Sequence, residues 1–195
     1  VLHVNVAGPH RLSKDKRPDW FFRKEQYGGI ITDIMSHQFE QFLCFTCETD
    51  ATINFARVAN FDNPDKPELE DFGEAVLQLD TGPSGYARID WFTPDGQRAW
   101  GDGRTFALGA KGVIELRKYI DVARKSEGDL IFLTDSEGER EIRCAGRVGF
   151  PAFGKLVLDV LNRTEDYMTQ EHAFKAAELC LQAQEMADRT RKKEW

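Results

Sequence analysis

The sequence predicts an α+β fold: a large, mostly antiparallel, open-faced sheet with about three helices packed on one face. Three observations lead there. From residue 52 to residue 144 the chain is a run of short strand-like segments joined by turns. Connections that short impose antiparallel pairing, since a parallel crossover needs a dozen or more residues. Helical periodicity is confined to one stretch near the start and two at the end, enough to cover a single sheet face. No repeat, low-complexity tract or linker interrupts the 195 residues, so 1–195 reads as one domain.

Residues 2–7 alternate Leu2, Val4 and Val6 with His3 and Asn5, the period of a half-buried strand. A polar stretch follows, with a basic cluster from Arg11 to Arg17 that stops at Pro18. It reads as a solvated loop anchored by Trp20, Phe21 and Phe22. Gly28-Gly29 then breaks the chain and opens a helix over 30–44. Ile31, Ile34, Met35, Phe39 and Phe42 make its apolar stripe, while Asp33, His37, Glu40 and Cys44 share the opposite side. Strands are expected over 52–58, 74–80, 86–92, 98–107, 113–119, 130–134 and 140–144. Turn signals separate them, among them Thr81-Gly82-Pro83-Ser84-Gly85, Pro94-Asp95-Gly96 and Asp135-Ser136-Glu137-Gly138. Residues 60–72, acidic and holding Pro64 and Pro67, form a surface loop. Phe153, Leu156, Val157, Val160 and Leu161 mark the second helix, and Thr169 is the expected N-cap of the third.

Composition removes several function classes. With 26 Lys and Arg against 33 Asp and Glu, the net charge is −7. A pI near 5.2 argues against a nucleic-acid partner, which needs a basic face to displace phosphate counterions. No apolar run approaches the ~18 residues of a membrane span, and no charged-then-apolar leader is visible. The chain starts at Val1, already inside a strand-like pattern, which suggests that its natural N-terminus lies upstream. The 4 Cys are too few and too unevenly spread for a disulfide framework. Cys44 and Cys47 have C-x-x-C spacing, but no second pair or ligand-spaced His accompanies them, so no metal is expected. These features point to a cytoplasmic location.

Chemistry is concentrated in one place. Gly101-Asp102-Gly103 begins like a dinucleotide fingerprint, but it lies in a strand context and position 106 is Phe. Asp33 and His37, by contrast, stand at i and i+4 off the apolar stripe, so their side chains can converge on one point. A His of ordinary pKa moves protons at neutral pH, and a carboxylate one turn away can orient the ring or hold a hydroxyl. A solvated helical Asp–His pair is the plainer reading of that spacing.

The stretch Arg17-Pro18-Asp19-Trp20-Phe21-Phe22, with Tyr27-Gly28-Gly29-Ile30-Ile31-Thr32-Asp33-Ile34-Met35-Ser36-His37-Gln38, resembles the C-terminal domain of the Gfo/Idh/MocA family of NAD(P)-dependent oxidoreductases. In that family a Gly-Gly turn leads into a helix bearing D-x-G-x-H. The likeness runs on through the hairpins and Gly149-Phe150-Pro151 to the Gln170-Glu171-His172 helix. It implies the substrate-binding and oligomerisation half of a dehydrogenase acting on a sugar, a polyol or a related carbinol or carbonyl compound. The N-terminal Rossmann domain is missing from this chain. NAD or NADP is then the cofactor of the full-length protein, and none is expected to bind this chain alone.

By the same resemblance, His37 is the proton-transfer residue and Asp33 the acid that holds the substrate hydroxyl or orients the ring. A family Lys that shares the proton work lies in the missing domain. Trp20 and Arg11, which flank the same loop, are candidate substrate contacts. Met35 stands where the family has Gly, a departure that could narrow the site. The implied partners are the chain's own Rossmann domain, a small sugar or polyol, and a second copy bound through the open sheet face. A binding or dimerisation module that keeps the fold without the chemistry is the alternative.

Overall fold

The computed structural model describes residues 1–124 and 127–191. Its strands are β1 (His3–Pro9), β2 (Thr52–Ala59), β3 (Phe72–Gln78), β4 (Ser84–Asp90), β5 (Arg104–Gly109), β6 (Gly112–Arg117), β7 (Leu130–Asp135) and β8 (Gly138–Arg143). They form one eight-stranded sheet in the order β2-β3-β4-β1-β5-β6-β7-β8. The β2–β4 and β5–β8 meanders are antiparallel, as their short turns require. β1 lies between them, parallel to β4 and antiparallel to β5. The end of β1 therefore opens at the middle of the sheet, beside the end of β4.

Between β1 and β2 come α1 (Lys24–Tyr27), α2 (Ile30–Ile34) and α3 (Ser36–Thr46). After the sheet come α4 (Ala152–Asn162) and α5 (Gln170–Arg191). The expected helix over 30–44 is divided at Met35, whose ψ of −9° tightens the turn. Both Gln38 and Phe39 donate their backbone N–H to the Met35 carbonyl. Thr169 caps α5 as its sequence suggests, accepting the His172 backbone N–H at 3.1 Å.

The core lies between the sheet and α2, α3 and α5. Ile30, Ile31, Ile34, Met35, Phe39, Phe42 and Leu43 face Val4, Val6, Ala75, Leu77, Ala87 and Ile89, all buried, while Leu179, Cys180, Ala183 and Ala187 of α5 complete it. Alternation along β1, β3 and β4 supplies the matching sheet face. At Gly85 a Cβ would stand 2.5 Å from the Phe42 ring, so glycine is what lets α3 lie close to β4.

α4 behaves differently. Phe153, Leu156, Val157, Val160 and Leu161 stay 49–81% exposed, so its apolar stripe is uncovered. The remaining correction concerns β5, which begins at Arg104 and not at 98. Residues 97–99 wrap a guanidinium instead of pairing: Arg11 donates to the carbonyls of Pro94, Gln97 and Ala99.

Candidate active site

Asp33 and His37 stand on the outward side of α2 and α3, both exposed, above the buried stripe. Their placement depends on how α2 starts. Gly28 ends α1 at φ +82° and Gly29 precedes α2 at φ +104°, a left-handed pair that side chains disfavour. Gly29 has no side chain to cap the helix, so distant residues take over. Glu70 accepts the Ile30 N–H at 2.9 Å, and Gln184 accepts the Ile31 N–H at 3.1 Å. Glu70 is fully buried; it is paired with Lys24 and bonded by Gln184, and its own N–H donates to the Tyr27 hydroxyl at 2.8 Å. A Cβ on Gly29 would meet Gln184 Oε1 at 2.4 Å. Core, loop and last helix thus converge on the one turn that aims Asp33.

Among the described residues, neither the Asp33 carboxylate nor the His37 ring has a hydrogen-bond partner, so both are free to meet a ligand. Asp33 is open to solvent on one side and crowded on the other. The crowding raises its pKa, against the pull of Arg17 and His10, which lower it.

His10 follows the end of β1 and joins them. Its Nδ1 donates to the Gly8 carbonyl at 2.7 Å, which fixes the tautomer and leaves Nε2 as an acceptor. Burial pushes its pKa down; the Gly8 carbonyl opposes this, the charge of His37 adds to it, and Asp90 and Asp33 pull upward. The ring packs edge-on against Trp91 and Trp100, with centroids 5.8 and 5.0 Å away.

The other candidate residues are placed as follows. Trp20 is 51% exposed and rests edge-on against Phe21. Arg11 holds three carbonyls of the 94–99 loop and lies 3.5 Å from Asp95. Sequence reasoning missed His10, Arg17, Trp91 and Trp100. The available signal was weak: His10 stands a few residues past the strand-like run 2–7, and Trp91 near the end of the run 86–92.

Among the described residues no cluster of three or more His, Cys, Asp or Glu could hold a metal. The Cys44 thiol has its pKa raised by burial, then by Glu40 and Cys47, opposite to the direction a reactive thiolate needs. No helix among the described residues is long and apolar enough to cross a membrane.

The GFO/IDH/MocA C-terminal domain profile matches residues 1–115, more than half of the chain. The chain belongs to this family. Among solved structures it is similar to a candidate oxidoreductase from Erwinia carotovora atroseptica SCRI1043, at 48% identity and a TM-score of 0.91, covering 96% of this chain and 56% of that one. At 17% identity it shares its fold with aldose-aldose oxidoreductase from Caulobacter crescentus, complexed with glycerol (TM-score 0.74, 97% and 54% covered). At 16% it shares it with an Agrobacterium radiobacter oxidoreductase in complex with NAD+, L-tartaric acid and magnesium (TM-score 0.72, 97% and 55% covered). The chain therefore spans a little over half the length of these proteins. Comparison with curated protein sequences gave no match. As a GFO/IDH/MocA domain the chain is an oxidoreductase C-terminal domain, and its open sheet with helices on one face is the family architecture.

Proposed function

We propose that this GFO/IDH/MocA domain is the substrate-binding and oligomerising half of an NAD(P)-dependent oxidoreductase acting on a sugar, polyol or related carbinol or carbonyl compound. The observation that carries this reading is the placement of Asp33 and His37 on one exposed face, unpartnered, beside the tautomer-fixed ring of His10. Deprotonating a carbinol needs an acceptor whose pKa lies near the working pH, and imidazole meets that requirement. His37 takes the hydroxyl proton while Asp33 holds the hydroxyl in line. His10 Nε2, neutral and acceptor only, can receive a second hydroxyl.

Among the described residues, the one stretch that starts like a dinucleotide fingerprint does not fit that group. Gly101-Asp102-Gly103 leads into β5 and not into a helix. A Cβ at Gly101 would stand 2.0 Å from the Pro9 carbonyl oxygen, so this glycine serves packing, and no helix N-terminus is offered to a pyrophosphate. Cofactor binding then falls to the other half of the full-length protein. That half would hold the nicotinamide that accepts the hydride.

The test is steady-state kinetics of the full-length protein. His37→Ala is expected to lower kcat by roughly 10²–10⁴, the range for a lost general base, with a much smaller change in KM. Asp33→Asn should act mainly on KM. Near-normal kcat in His37→Ala across neutral and alkaline pH would assign the hydroxyl proton to another residue, whereas a full-length parent without turnover on any such substrate would return the chain to the alternative, a binding module that kept only the fold.

A further inference from the structure

The loop after β1 concentrates cations in a chain of net charge −7, and it uses them unequally. Arg11 is committed to the carbonyls of the 94–99 loop. Lys14 is committed to Asp65 at 2.5 Å. Arg17 is held but unpaired. Its Nε donates to the Leu12 carbonyl at 3.0 Å, and its guanidinium lies 4.4 Å from the Phe21 ring centroid and 4.9 Å from that of Trp91. Among the described residues both Nη atoms lack an acceptor, and no carboxylate pairs with them. A guanidinium fixed at Nε and against two rings, with its terminal fork free, is pre-organised for a bidentate carboxylate. Fixing it in advance also removes most of the side-chain entropy that binding would otherwise cost.

The space in front of it is defined. Arg11, Ser13, Lys16, Arg17 and Trp100 line a cavity of about 330 Å³, within the ordinary range for small-ligand sites. Trp100 is 54% exposed there, while its indole packs on His10, so an apolar surface lies between the cations and the catalytic helix. Asp33 and His37 lie outside this lining, and Arg17, which is part of it, is near enough to Asp33 to lower its pKa.

We propose that the substrate is an acidic carbohydrate, a sugar or polyol bearing a carboxylate. Arg17 and Lys16 hold that carboxylate, and the carbon chain lies along Trp100 toward Asp33 and His37. This specificity rests on the function proposed above, and it adds the anionic group that neither Asp33 nor His37 could select. The reaction balances as for any secondary alcohol: the C–H pair leaves as hydride to NAD(P)+, the O–H proton goes to His37, and a carbonyl forms.

The test is binding to this chain, read by tryptophan fluorescence, with D-gluconate and D-glucuronate set against D-glucitol and D-glucose. The acids are expected to bind roughly tenfold or more tightly, the scale of one charge-assisted pair, and added salt should weaken only the acids. Arg17→Gln should abolish the preference, Arg17→Lys should keep part of it, and Lys16→Gln, at an exposed position, should reduce it without touching the fold. Acids that bind no more tightly than their neutral counterparts, or not at all at millimolar concentration, overturn the proposal, as does a preference that survives Arg17→Gln. Kinetics of the full-length protein separate the two readings. Neutral polyols oxidised in a His37-dependent, Arg17-independent way would remove the acid and keep the dehydrogenase. An Arg17-dependent acid site without any His37-dependent turnover would do the reverse.

Discussion

At the scale of single residues, the chemistry of this domain depends on which groups are left without a partner. Arg11 and Arg17 sit six residues apart in one loop, yet the first spends one Nη on three carbonyls and the second keeps its fork free. Nothing in the local sequence distinguishes them, because the carbonyls that hold Arg11 arrive from residues 94–99. Asp33 and His37 were legible for the opposite reason: one helix carries both, and helical spacing is a local property. Lys118, just past β6, is a third case. Burial lowers its pKa to about 8, against a smaller upward pull from Glu40, and its ammonium donates to Gln41 Oε1. Between that value and its ordinary 10.5, the unfolded chain holds a proton that the folded chain has released. Stability therefore rises with pH through that window, and below it this group opposes folding. Lys118→Met should melt higher than the parent at pH 7, with the gap closing as pH approaches 10.5. A gap that stays constant with pH, followed by thermal melts, would mean that the gain comes from packing.

At the scale of elements, existence and type were legible while boundaries and supports were not. All eight strands follow from alternation and turn residues, both short-range. The start of β5 was misplaced because residues 98–103 look like a strand but are drawn away to Arg11. The division of the helix at Met35 left no mark on the apolar spacing, since its stripe stays buried on both sides of the break. The support of α2 was the least legible feature. Its first N–H groups are satisfied by Glu70 and Gln184, and Gln184 lies on the last helix, more than 150 residues away. Replacing Glu70 tests this support. Its side chain is fully buried, paired with Lys24 and bonded to Ile30 N–H and Gln184. Glu70→Ala leaves Lys24 its Asp188 partner but takes the acceptor from the buried Ile30 N–H, and should cost about 1–3 kcal/mol, the range for a buried donor left unsatisfied. Urea titration should show a lower midpoint with an unchanged slope. A loss under ~1 kcal/mol would mean that water replaces the carboxylate.

At the scale of the whole molecule, two surfaces lack a cover, and they differ in kind. The stripe of α4 is almost purely apolar. The sheet face opposite α2 and α3 is mixed: Phe55, Phe106, Leu108 and Val113 are 40–45% exposed among ion pairs such as Arg57–Glu74, Arg104–Asp102 and Arg117–Glu115. Those charges already neutralise one another within the face, so a partner need not supply counter-charges, and burying the face removes apolar area without stranding an ion. A symmetric dimer uses such a self-complementary patch twice. Aromatic and Arg side chains are also the types enriched at interface centres, and Tyr86, Arg88, Arg104 and Phe106 surround a shallow cavity of about 550 Å³ near the middle of the sheet. Light scattering of the chain at tens of micromolar should therefore report a dimer or larger species. Phe106→Glu puts an unpaired carboxylate at that centre and should yield monomers, with circular dichroism unchanged because Phe106 points away from the core. The double change Leu156→Lys and Val160→Lys on α4 separates the two surfaces. If the sheet drives association, those lysines leave the oligomer intact. If α4 drives it, they dissolve it and Phe106→Glu does not, and the sheet face is then a wetted, charge-balanced surface that happens to carry aromatic residues.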